Sequence, residues 1–114
     1  MKPYQSEITG HLDFFTADNE DEFGGATEKW QTLLIHGDSE GLKSFARLLL
    51  RLAELKQDEL PALPFGAREH VSLRPCLDIS NSSVEVIVGR LDAKGTGAFY
   101  DRYISKSGSA KDNL

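Results

Sequence analysis

Ile35-His36-Gly37-Asp38-Ser39-Glu40-Gly41-Leu42-Lys43-Ser44-Phe45-Ala46-Arg47-Leu48-Leu49-Leu50-Arg51-Leu52-Ala53 is the stretch that decides the fold. A β-branched and aromatic run (Trp30 to His36) stops at Gly37. Asp38 or Ser39 can then cap a helix, with Glu40 in the first turn, where the helix dipole favours negative charge. At about 100° per residue, Leu42, Phe45, Ala46, Leu49, Leu50, Leu52 and Ala53 share one side, with Leu48 and Leu55 at its margin. Lys43, Ser44, Arg47, Arg51 and Glu54 fill the other side. The pattern predicts a helix ending near Lys56, with an apolar arc of about 220°, wider than a helix lying on a sheet normally shows. The apolar, Pro-stiffened stretch Leu60-Pro61-Ala62-Leu63-Pro64-Phe65 is expected to cover the excess, another chain being the alternative.

Working outward, residues 5–15 and 28–36 read as strands. They would pair as a hairpin joined by a long acidic loop, after which Gly24-Gly25 precedes the second strand. Beyond Gly66 the period becomes two: Val71, Leu73 and Leu77 alternate with polar residues, and Pro75 marks an edge or a bulge. Ser80-Asn81-Ser82-Ser83 turns the chain into Val84, Val86 and Val88. Gly95 and Gly97 precede a short helix expected at residues 98–104. The order β-β-α-β-β implies an α+β fold, an antiparallel sheet of about four strands with the long helix on one face and the short helix at the C-terminus. Residues 1–104 are expected to form a single domain, and residues 105–114, with little to bury, a mobile tail.

Charge narrows the function. The net charge of −5 is concentrated between Asp13 and Glu28, where Asp13, Asp18, Glu20, Asp21, Glu22 and Glu28 face no Lys or Arg. Such a segment repels phosphates and draws cationic surfaces, so nucleic acid is not the expected partner. No apolar run is long enough to span a membrane and no secretory signal follows Met1-Lys2, so a cytoplasmic protein is expected. The lone Cys76 rules out internal disulfides and zinc clusters. Asp18, Glu20 and Glu22 resemble a calcium loop only in spacing, because Lys29 stands where its closing glutamate belongs. His11, His36 and His70 lie in different elements and predict no metal site. Cys76 and His70, about 20 Å apart on an extended strand, predict no nucleophile pair. Asp38 and Glu40 disfavour an anion at the helix start, and Asp92-Ala93-Lys94-Gly95-Thr96-Gly97 lacks phosphate-loop spacing. No enzyme, cofactor or metal is expected.

The segment from Ile35 to Ala53, followed by Gly66, His70 and Leu77-Asp78-Ile79-Ser80-Asn81-Ser82-Ser83-Val84-Glu85-Val86-Ile87-Val88, resembles the bacterial immunity protein 32 family over about Trp30 to Arg90. Ser72 replaces a second histidine of the family pattern, and Ser82 a glycine. The resemblance implies a non-catalytic protein that neutralises a cognate polymorphic toxin by direct binding. Asp18, Glu20, Asp21 and Glu22 are then expected to steer a basic toxin, with Phe23 as an apolar anchor among them. His70 and Arg74, on the polar face of an edge strand, are second candidates. The alternative is a homo-oligomeric structural or regulatory domain joined through the helix face or the edge strand.

Overall fold

The computed structural model describes residues 4–108. Strand β1 (Leu12–Phe23) and strand β2 (Ala26–Gly37) form one long antiparallel hairpin. Its connection is two residues, Gly24 and Gly25, with φ of 59° and 86°. Positive φ at both central positions makes the turn whose twist matches a hairpin, and glycine adopts it without strain. The acidic segment is therefore strand and not the long loop expected from its composition. Leu12 pairs with Gly37, Asp18 with Gln31, Asp21 with Glu28 and Phe23 with Ala26.

Helix α1 (Ser39–Glu54) follows directly. Asp38 is its cap, its Oδ1 accepting from the Gly41 N–H at 2.8 Å. The same oxygen accepts from the His11 N–H at 3.0 Å, and the Asp38 N–H donates to the His11 carbonyl at 3.2 Å. One carboxylate thus ends β2, starts α1 and ties both to the entry of β1. These two backbone donors hold its pKa below the ordinary aspartate value.

The buried stripe of α1 is rotated from the one expected. Gly41, Ser44, Leu48 and Leu52 are buried, while Leu42, Leu49 and Leu50 are exposed. The cause is local. The chain entering β1 lies so close to the helix that a Cβ on Gly41 would sit 1.8 Å from the His11 carbonyl oxygen. The Ser44 hydroxyl accepts from the Thr9 N–H at 3.1 Å and bonds the Thr9 carbonyl at 3.0 Å. Small and polar residues face inward there because backbone, and not apolar side chain, is what they meet. The expected cover over this side of the helix is missing: Leu42, Leu49 and Leu50 stay exposed, and Phe65 of the segment expected to shield them is 76% exposed.

The chain divides into two compact units, Met1–Leu48 with Ser72–Val86, and Leu49–Val71 with Ile87–Leu114. In the first, Leu12 and Phe14 of β1 and Leu48 of α1 are buried, and the Phe14 and Phe45 rings meet edge-on at 5.3 Å. The segment after Pro75 returns along the outer edge of β1. Ser80 N–H donates to Leu12 O, Val84 N–H to Phe14 O (both 2.9 Å), and Phe14 N–H to the buried Ser83 hydroxyl (2.9 Å).

In the second unit the Arg90 guanidinium donates to the carbonyls of Leu52 (3.0 Å) and Leu55 (2.7 Å), a cation at the end of α1 where the dipole favours one. Asp92 holds it with two further bonds of 2.9 and 2.7 Å. After a 3-10 turn (Gln57–Glu59), buried Gln57 bridges the Asp92 carbonyl and the Glu69 N–H.

Strands β3 (His70–Leu73) and β4 (Val86–Gly89) form a second two-stranded sheet, so the four strands are split between two sheets and not joined in one. β3 stops at Leu73 because Pro75 has no N–H to offer and Cys76 takes a φ of 69°. The expected helix at residues 98–104 is absent: Arg68 stacks over Tyr100 at 3.9 Å and bonds the Ala98 carbonyl at 2.7 Å, holding an irregular path. Of the predicted tail, residues 109–114 lie outside the described residues.

Candidate protein-binding surface

In the hairpin's distal half, residues 18–31, every residue is exposed except the half-buried Asn19. This arm contains Asp18, Glu20, Asp21, Glu22 and Glu28 against a single base, Lys29. A strand formed of acids has little apolar burial to hold it, so its stability comes from the ladder, the glycine turn and cross-strand side chains. Gln31 donates to Asp18 Oδ1 at 3.1 Å, and Asn19 to Thr32 Oγ1 at 2.9 Å.

Alternation along the strands sorts the predicted residues onto two faces. Asp18, Glu20 and Glu22 lie on the face that carries Leu12 and Phe14 at the hairpin's base. Asp21 and Phe23 lie on the opposite face, where the register adds Glu28 and Trp30. Asp21 stands directly across from Glu28, a like-charge pair that is unfavourable by itself, and it is flanked by Phe23 at 56% exposure and Trp30 at 48%. A cationic side chain meeting this face would find two carboxylates between two aromatic surfaces, which suits it by charge and by ring quadrupole. Glu28 and Trp30 are not among the residues singled out from sequence. The signal was available: Gly24-Gly25 as a two-residue turn fixes the register and places both.

The second group of candidates falls in different units. Arg74 lies just beyond β3. Its N–H donates to Asp78 Oδ2 at 2.9 Å, and its guanidinium sits 3.6 Å from the same carboxylate and 5.2 Å from the Tyr4 ring centroid. Burial works to raise the pKa of Asp78, but hydroxyl bonds from Ser6 and Tyr4 and the Arg74 contacts outweigh it, leaving the value lowered. Arg74 is thus engaged within its own unit. His70 opens β3, exposed, in the other unit, with Nδ1 3.4 Å from the Arg68 carbonyl.

Among the described residues no group of three or more His, Cys, Asp or Glu is placed to hold a metal ion, and no helix is long and apolar enough to cross a membrane. A clustered anionic surface can attract and hold a cationic partner. Neither curated proteins nor solved structures gave a match to the chain. The family model described as Immunity protein 32 matches residues 32–91, from the middle of β2 through α1 and β4. That match spans more than half of the chain and begins after the acidic arm, and by it the chain belongs to the immunity protein 32 family.

Proposed function

We propose that this protein neutralises a cognate bacterial toxin by binding it directly, with the acidic arm of the β1–β2 hairpin as the docking element and no turnover of any substrate. One observation carries the reading: an exposed double strand bears Asp18, Glu20 and Glu22 on one face and, on the other, Asp21 and Glu28 between Phe23 and Trp30. Charge of one sign accelerates encounter with a basic partner, and an aromatic residue amid charge supplies contact area once docked. The family match supports the class of partner, and the position of the arm outside the matched residues suits a part that selects among toxins. His70 and Arg74 are secondary contacts in this reading.

The test pairs the chain with the toxin encoded in the adjacent reading frame. Replacing Asp18, Glu20, Asp21 and Glu22 by their amides should lower the association rate about tenfold or more at low salt and flatten its salt dependence. The melting temperature should barely move. An unchanged on-rate would reject the arm as docking element.

A further inference from the structure

We propose that the outer edge of β2 is the seam of a homodimer, in which β2 pairs antiparallel with β2 of a second copy to make a four-stranded sheet. The inference goes beyond toxin neutralisation and does not depend on it.

The two edges of the hairpin are treated differently. Residues 80–84 bond the outer edge of β1, whereas among the described residues β2 pairs with no strand but β1. The bond from Asp38 N–H to His11 O sets which groups of β2 point where: even-numbered residues bond β1, and the N–H and C=O of Gln31, Leu33 and Ile35 point outward. Free edges are normally guarded by charge, proline or a bulge. From Trp30 to Gly37 this edge has no Asp, Glu, Lys, Arg or Pro. Beside it lies uncovered apolar surface, Leu33 at 57% and Ile35 at 41% exposure, continued by Leu42 at 46%, whose Cγ lies 3.1 Å from where a Cβ on Gly37 would be.

Charge chooses the occupant. A basic partner is drawn to the acids of the distal arm, and the uncharged stretch of residues 30–37 offers it nothing. A second copy meets it with the same neutral, apolar strip and the same outward hydrogen-bonding groups, as a two-fold interface requires. The parity of those groups restricts the register. Centring the pairing on Leu34 sets Leu33 of each copy against Ile35 of the other and Leu34 against its own equivalent. Centring it on Leu33 would instead oppose Glu28 and Asp38.

Sedimentation velocity with the full chain decides it. The wild type should form dimers, and Leu33→Lys should sediment as a monomer with an unchanged circular dichroism spectrum. Leu33→Pro should do the same, because the N–H it removes points away from β1. Leu34→Cys in a Cys76→Ser background gives a second readout, since equivalent residues at a non-hydrogen-bonded pair lie about 4.5 Å apart, within disulfide reach. Oxidation should link the copies. A wild type that stays monomeric up to roughly 100 μM, even one whose edge is later covered by a toxin, overturns the proposal. A dimer untouched by Leu33→Lys, or a Leu34→Cys chain that never links, overturns it equally.

Discussion

At the scale of single residues, the junction of β1 and α1 is held by groups that a helical wheel assigns to the wrong side. Gly41 would ordinarily be improved by alanine, the better helix former. Here the added Cβ meets the His11 carbonyl oxygen at 1.8 Å, so Gly41→Ala should destabilise, by about 1–3 kcal/mol or more, as overpacking does. Denaturant titration checks the sign, which is opposite to that expected from propensity. Ser83 is a second such residue: truncating it to alanine leaves the buried Phe14 N–H without its acceptor, at a cost of about 1–3 kcal/mol. The acid response follows from the carboxylates. The Ser80 and Ser82 hydroxyls, at 2.5 and 2.6 Å, lower the pKa of Asp13, and the His11 and Gly41 N–H groups lower that of Asp38. A folded pKa below the unfolded one contributes stability that is complete above the unfolded value, 3.8 for an ordinary aspartate, and is lost as pH falls through the folded value. Melting temperatures should therefore hold near neutrality and fall below about pH 4, less steeply in a Ser80→Ala, Ser82→Ala chain.

Among the elements, the helix start was legible from Asp38-Ser39-Glu40 because capping is local chemistry contained in a few neighbouring residues. The burial of the helix was not: Ser44 faces inward and Leu42 outward because the Thr9 and His11 backbone lies against the first turns, a long-range fact invisible to periodicity. The hairpin was half legible. Trp30 to Ile35 announces a strand by composition, whereas Asp18 to Glu22 is strand only through pairing, and an acidic alternation with no buried face reads as loop. The acids were recognised as candidates, and Glu28 and Trp30 were missed with the register that brings them in. β3 and β4 were legible in part, since Leu77 and Val84 fall outside the strands and the pair forms a sheet of its own, and in place of the expected C-terminal helix Arg68 stacks on Tyr100. A prediction belongs at this scale. Glu28→Lys replaces the Asp21–Glu28 opposition with an attractive cross-strand pair, so the hairpin should become slightly more stable while toxin binding weakens. A variant that melts lower would contradict the cross-strand repulsion, and one that binds as well as the wild type would show that the pair has no part in recognition.

Over the whole molecule, the negative charge belongs to one unit. Met1–Leu48 with Ser72–Val86 contains eleven acids and five bases, and the remainder is near neutral. Within that unit the hairpin carries both proposed surfaces, the acidic arm for a cationic partner and the neutral edge of β2 for a second copy. The acids of the arm are exposed and bury nothing, so they add little to folding. The most direct measurement is the survival of cells expressing the proposed cognate toxin together with this chain or with its Asp18→Asn, Glu20→Gln, Asp21→Asn, Glu22→Gln form, at matched soluble protein levels. The account predicts protection by the wild type and its loss in the variant. Equal protection by the two would contradict it.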